Sequence, residues 1–415
     1  MNAPHRRGAC PGLSVPMVTG DGLLVRLMPA QSIALDVFAA FCAAARQYGN
    51  GIIEVSARGS LQVRGLTPPS AAAFASAVAA LAIAAADGVP VIADPLADDP
   101  DAFVDSIGLA ENIRRAIGAA RLALAPKISV VVDGGGHLHL DALAADIRLR
   151  AIGSPAAPRL HVGLGGDAAS AAPLGSIEPD AAPAVVAALL GVIAARGRAA
   201  RAVDVLRDHG IAAFRAAADG RIDPSPHLSP RPPAEPIGLH PLRDGSAALG
   251  LALAFGHAHA DAIIELARIA AAHGARSIRP APGRALLLIG VAERDAGALA
   301  LAAERLGFVT RPDDPRRRIV ACPGLPACAS GLIAARALAM TMAGELPPWR
   351  DGATIHVSGC PKGCAHPAPA ALTVVGTERG CGIIRAESAR AAPDCHVDPA
   401  DLIAEVRRIV AEAGY

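Results

Sequence analysis

At 415 residues the chain is long enough for two to four domains. A net charge of +1 gives no electrostatic reason to expect nucleic acid or an anionic membrane surface as partner. Hydrophobic residues make up 52%, but the longest apolar runs, 71–86 and 184–195, are built of small side chains and fall short of a bilayer span of ~20 residues; they read as buried or half-buried helices.

The N-terminal MNAPHRRGACPGL has two arginines and no apolar segment behind them, so no signal peptide is expected and the cytoplasm is the default compartment. There thiols stay reduced, and a cysteine cluster more often holds metal than forms disulfides. Residues 21–66 then present an apolar strand, a helix ended by glycine and two further strands. Residues 246–291 repeat the pattern without a gap, matching at Leu24/Leu249, Asp36/Asp261, Gly49/Gly274, Ile53/Ile278, Leu61/Leu286 and Gly65/Gly290. This β-α-β-β order is half of a ferredoxin-like unit, and such a half leaves a sheet edge that pairing with its copy would cover.

Each copy is followed by helices alternating with short apolar strands, and PSPHLSPRPPAEP at 224–236 reads as a linker. The expected division is a first half repeat at 15–75, an α/β domain at 80–223, a Pro-rich linker at 224–240, a second half repeat at 241–300 and a second α/β domain at 301–415. The segment beginning Lys127-Ile-Ser-Val-Val-Val-Asp-Gly reads as a buried strand ending in a glycine turn, and Thr354-Ile-His-Val-Ser-Gly holds the equivalent place in the second half.

Only the second half carries paired cysteines, Cys322/Cys328 in ACPGLPACASG and Cys360/Cys364 in SGCPKGCAHP. The five residues between Cys322 and Cys328 are more than the two to four of ordinary zinc knuckles. Four thiolates on two loops suit an iron–sulfur cluster, which ranks ahead of zinc and of buried cysteines with no ligand role. A helix starting near Ala327 would place Cys328 in its first turn, where free N–H groups favour a thiolate. Gly359 and Gly363 let the backbone approach a cluster. Cys10, Cys42, Cys381 and Cys395 have no partner at ligand spacing and read as inert thiols.

The half repeat and the C-x5-C…C-x3-C pattern resemble the sulfite and nitrite reductases over nearly the whole chain. Within that superfamily GACPGLSVPMVTGDGLLVRL, DPLADDPDAF, PKISVVVDGGG and HVSGCPKGCAHP are most similar to the precorrin-3B synthases of aerobic cobalamin biosynthesis. The resemblance implies an α+β, duplicated reductase-like architecture, with two half repeats paired in one domain plus two α/β domains. It implies Cys322, Cys328, Cys360 and Cys364 as ligands of a 4Fe–4S cluster, with Cys364 facing a tetrapyrrole pocket.

A polycarboxylate substrate calls for guanidinium and ammonium contacts. Arg26, Arg58, Gln62 and Arg64 are candidates; 58, 62 and 64 would share one face of a single strand, the competing reading being a solvated row of arginines. The resemblance places these four in the tetrapyrrole-contacting region. It gives Lys127 the place of the first of two anion-binding lysines, with Ser129 in the place of the second and GVPV at 88–91 where an arginine is expected. Those departures remove charge from a sulfite or nitrite site and suit dioxygen. Only Lys127 and Lys362 are lysines among 39 basic residues, and Lys362 joins the substrate-binding candidates.

Weaker signals are GLGG at 163–166, read as a loop, and His356, His366 and His396 as candidate ligands of an additional non-haem iron. The resulting expectation is an oxidoreductase that hydroxylates precorrin-3A with dioxygen and closes a lactone, with Lys127 and Arg26 at the reacting centre. Its electrons would come from an external NADH-dependent or ferredoxin-type donor; neither nucleic acid nor membrane is expected as partner. The alternatives are a sirohaem-dependent nitrite or sulfite reductase and an iron–sulfur electron-transfer protein.

Overall fold

A computed structural model describes residues 11–85, 88–218, 220–347 and 353–412. Cys10 lies outside them. The first half opens with β1 (Met17–Thr19), β2 (Gly22–Leu27), β3 (Ile33–Ala34), α1 (Leu35–Tyr48), β4 (Ile52–Val55), β5 (Leu61–Leu66) and α2 (Pro68–Ala80). It continues with β6 (Val91–Ala93), α3 (Ser106–Ala120), β7 (Val130–Asp133), β8 (Ala145–Ser154), β9 (Ala157–Gly166), β10 (Ala172–Ile177), α4 (Ala182–Ala194), α5 (Ala202–His209) and α6 (Ala212–Ala218). The second half repeats the first series as β11 (Gly238–Pro241), β12 (Ala247–Ala252), β13 (His257–His259), α7 (Ala260–Ala272), β14 (Ser277–Ala281), β15 (Ala285–Val291) and α8 (Glu293–Arg305). Then come β16 (Ile319–Ala321), α9 (Ala335–Glu345), β17 (Ile355–Ser358), β18 (Leu372–Thr377), β19 (Gly380–Arg385), β20 (Cys395–Val397) and α10 (Leu402–Glu412).

The strands form two matched pairs of sheets. The half-repeat sheets run β1-β2-β5-β4-β13 and β11-β12-β15-β14-β3. Each is closed by a strand from the other half: β13 lies antiparallel on β4 with His257 opposite Glu54, and β3 lies on β14 with Ile33 opposite Ile278. The open edges are thus covered by exchange of two very short strands. One apolar core fills the space beneath both sheets, drawing Phe38, Phe41 and Phe74 from the first half and Leu251, Leu266 and Leu286 from the second. Gly49 ends α1 where a Cβ would sit 2.6 Å from the carbonyl oxygen of Arg64, so no larger residue fits between helix and sheet.

The other two sheets run β6-β7-β8-β9-β10 and β16-β17-β18-β19-β20 in space. In both, the first three strands are parallel and the last two antiparallel. The expected ungapped overlay holds from α1/α7 through β5/β15 but slips by one residue in β2/β12. Arg26 pairs with Gln62, whereas Gly250, not Leu251, pairs with Leu287. Both ladders are irregular at the equivalent place, beside Gly65 and Gly290, and the slip comes from one more residue between Gly250 and α7 than between Arg26 and α1. GLGG is the end of strand β9 rather than a loop, with Gly165 and Gly166 at positive φ. No helix among the described residues is long and apolar enough to cross a membrane.

Candidate cluster and tetrapyrrole site

Cys322 and Cys360 follow the carboxyl ends of β16 and β17, which pair in parallel with Ala321 opposite Val357. The two loops therefore leave the sheet side by side, the usual place for a site in an open α/β sheet. The Gly359 N–H donates to Cys322 Sγ at 3.0 Å. Gly359 has no room for a side chain, since a Cβ would stand 2.9 Å from Gly324 Cα and 3.3 Å from Cys322 Sγ. Burial raises the Cys322 thiol, while the N–H groups of Gly359 and Gly324 pull against it and the neighbouring Cys364 and Cys360 add to it.

Cys328 does not begin a helix. It lies in a run of turns, its N–H bonded to Gly324 O at 2.8 Å and its carbonyl accepting from Gly331 N–H at 2.8 Å; α9 starts only at Ala335. Gly324 at positive φ, with Pro323 and Pro326 beside it, diverts the chain into a loop that is tied to the second one by Leu332 N–H to Gly359 O at 2.7 Å. Backbone N–H groups of loops, not a helix terminus, therefore face the sulfurs. Cys328 meets the other half directly: Ala329 N–H donates to Gly20 O at 2.9 Å, and a Cβ on Gly20 would lie 2.4 Å from Cys328 Sγ. Cys364 and Lys362 are exposed, and Lys362 Nζ donates to Ser330 Oγ at 2.6 Å, bridging the two cysteine loops.

Four free thiols on two tied loops, glycines with no room for Cβ and an N–H already aimed at sulfur fit a cubane cluster. Among the described residues, no three His, Cys, Asp or Glu gather closely enough for a single metal ion. His356 is buried on β17 with neither ring nitrogen hydrogen-bonded, and burial pushes its pKa down to about 4. It packs edge-on against His366 with ring centroids 5.6 Å apart, whereas His396 lies on β20 opposite Gly382. The three histidines thus do not converge on one point. Cys42 and Cys381 are buried and Cys395 half-buried, with burial raising all three thiols.

The basic candidates separate into three groups. Arg26 and Gln62 are cross-strand neighbours on one face of the first sheet, and Glu54 is Gln62's neighbour on the other side. Arg64 shares that face but is occupied, donating to both Asp21 carboxylate oxygens at 2.7 and 2.9 Å and approaching Glu54 at 3.4 Å. Burial alone would lower the Arg64 pKa, but Asp21 and Glu54 outweigh it and raise it. Arg58 is not on the strand of Gln62 and Arg64: β5 begins at Leu61, after Gly59 turns the chain at positive φ. Arg58 instead reaches the first α/β domain, donating to Ser129 Oγ at 3.1 Å and Ala144 O at 2.6 Å. Lys127 is exposed in the turn before β7, which begins at Val130, so it stands outside the strand expected to contain it.

Three acting residues carried no local signal. Arg336 on α9 donates to Glu54 Oε1 at 2.5 Å, a pair 282 positions apart in sequence, and Glu54 links it to Arg64 and Asp21. This chain of alternating charges joins the first sheet to the cysteine domain. Asp21, Glu54 and Arg336 show themselves only when the halves come together.

The first half holds a counterpart of the cysteine site. Asp94 follows β6 as Cys322 follows β16, and Gly134 N–H donates to Asp94 Oδ2 at 2.5 Å as Gly359 donates to sulfur. The sheet opposite is largely apolar: Ala281, Ala285 and Leu287 pack on Leu96, Leu138 and Leu242, with the buried Arg279 beside Leu287. Ser60, just before β5, and Gln62 on it are equivalent in the repeat to Ala285 and Leu287 of β15. Gly250 takes the place of Arg26, and a Cβ there would overlap Pro236 O at 1.7 Å, so the linker backbone fills the space.

No family model matches the chain. It is 38% identical over 95% of its length, and over 86% of the relative's, to a precorrin-3B synthase of Sinorhizobium sp. A sulfite reductase [ferredoxin] of Mycobacterium tuberculosis (strain CDC 1551 / Oshkosh) is 26% identical over 40% of this chain and 33% of that protein. The solved structure of the Mycobacterium tuberculosis NirA protein superposes on 94% of this chain and 80% of that one, with a TM-score of 0.73 at 20% identity, a likeness of fold.

Proposed function

The chain belongs to the precorrin-3B synthase family, and from that premise we propose that it uses dioxygen to hydroxylate precorrin-3A at a meso carbon and closes a ring acetate onto the macrocycle as a lactone. One oxygen atom enters the product; the other leaves as water, taking two electrons and two protons. The electrons come from an external donor of NADH-dependent or ferredoxin type. The observation that carries the reading is the polar face bearing Arg26, Gln62 and Glu54, which is tied through Arg336 and Gly20 to the loops of four cysteines.

In this reading Cys322, Cys328, Cys360 and Cys364 hold a 4Fe–4S cluster, which supplies electrons singly when bound. The Gly359 N–H stabilises negative charge on the Cys322 sulfur without bringing a proton that could be lost. Arg26, Arg58, Gln62 and Lys127 bind the carboxylates of the macrocycle, and Lys127 also serves the oxygen site. Arg64 has a positioning role: paired with Asp21, it fixes the β1–β2 turn against Cys328. Lys362 holds the two cysteine loops together through Ser330 and reaches substrate from that side.

Incubating the reduced protein and a donor with precorrin-3A under isotopically labelled dioxygen tests the proposal. One labelled atom is expected in the lactone product. An unlabelled product, or turnover of sulfite or nitrite in place of precorrin-3A, would sink it.

A further inference from the structure

Position 54 of the first sheet and position 279 of the second are equivalent in the repeat: Glu54 pairs with Gln62 on β5, and Arg279 pairs with Leu287 on β15. In the first half the carboxylate of Glu54 meets two arginines, Arg64 and Arg336. In the second half the equivalent residue is itself an arginine, only 7% exposed. Arg279 has no ion pair among the described residues, and its buried Nη1 has no acceptor. The charged group that bears on it is a second cation, Arg114 of α3.

Arg114 is also incompletely satisfied. One Nη donates to Val91 O at 2.6 Å, at the start of β6, while its buried Nε has no acceptor. Burial lowers both guanidinium pKa values, that of Arg279 to about 10, with the charge of Arg114 adding to the effect. A buried cation without a partner is costly; Arg279 is one, and the half-buried Arg114, on which among charged groups only the Glu111 carboxylate bears favourably, adds repulsion to it. Guanidinium groups with unused N–H donors are the ordinary partners of planar oxyanions.

We propose that Arg279 and Arg114 form an oxyanion site between β14 and α3, in which a carboxylate or small inorganic oxyanion takes the place that Glu54 fills in the other half. Two sources share this chemistry: a free anion such as phosphate, and a carboxylate arm of the macrocycle. The site does not depend on the reaction assigned above; only its precorrin-3A arm rests on that reading.

The test uses the full chain and inorganic phosphate titrated at constant ionic strength against chloride. The wild type is expected to gain Tm with phosphate, and Arg279→Met and Arg114→Met to lose that gain. Without phosphate, Arg279→Met should melt above the wild type, because an uncompensated buried charge is gone. Should Arg279→Met not fold, Arg279→Lys keeps one cation and should weaken the phosphate response about tenfold, having lost the planar fork. If the macrocycle supplies the anion, phosphate leaves Tm unmoved and both Met variants weaken equilibrium binding of precorrin-3A about tenfold, a loss of about 1.4 kcal/mol. Variants with wild-type phosphate response and wild-type precorrin-3A affinity would overturn the site.

Discussion

At the ends of β16 and β17 a glycine N–H meets a thiol; at the ends of β6 and β7 the equivalent glycine N–H meets a carboxylate. The backbone device is the same and the chemistry around it has diverged. Opposite the thiols stands a polar, half-buried face with Arg26, Glu54 and Gln62; opposite Asp94 stand Ala281, Ala285 and Leu287, with the linker lying across Gly250. The duplicated frame offers two faces, one with thiols and paired charges, the other with apolar packing around Arg279, a cation with no ion pair among the described residues. A handful of side chains at repeat-equivalent positions decides which is which.

The largest expected effect tests that division at its centre. Cys360→Ser should abolish oxygenation of precorrin-3A and empty the cluster site, whereas Asp94→Asn should leave iron content unchanged. Burial and the nearby charge of Asp133 already raise the Asp94 pKa, so a neutral amide suits its place. Next, Gly250→Ala should destabilise by at least about 3 kcal/mol in denaturant titrations, since its Cβ would overlap Pro236 O. At the mirror position Arg26→Ala should cost little stability but weaken precorrin-3A binding about tenfold. Equal stability losses at the two positions would erase the contrast.

Exchanging polarity between the faces should have a smaller effect. Leu287→Gln buries an amide among Leu96, Leu138 and Leu242 and should cost about 2–3 kcal/mol, whereas Gln62→Leu should be near neutral for folding. The smallest effect concerns His257, opposite Glu54, whose pKa is lowered to about 3 by burial and then by Arg336 and His259. Its folded pKa lies below its unfolded value, so the unfolded state binds the extra proton. The contribution is fully present above about pH 6.5 and is lost progressively as pH falls towards 3. His257→Gln should flatten the acid limb of stability against pH; an unchanged limb would remove His257 from the account.

The repeat was legible because apolar alternation is a local pattern, and the proline run and the cysteine spacings are local patterns of the same kind. What stayed hidden depends on contacts between distant segments. The exchanged strands β3 and β13 have two and three residues, too few to show a period. The carboxylates that occupy Arg64 are 43 and 10 positions away, so its guanidinium reads as available until Asp21 and Glu54 are placed. Even spacing put Arg58 on the face of Gln62, but Gly59 breaks the strand between them and turns Arg58 towards Ser129. A helix was expected at Cys328 because the apolar run after it has helical composition; Gly324 and Gly331 keep the chain in turns until Ala335.

Iron and acid-labile sulfide measured in anaerobically purified protein, wild type beside Cys360→Ser, test the division of the two faces most directly. About four irons and four sulfides are expected per wild-type chain, lost from the variant. Zinc in place of iron, or a variant that keeps its full iron and sulfide, would contradict that division.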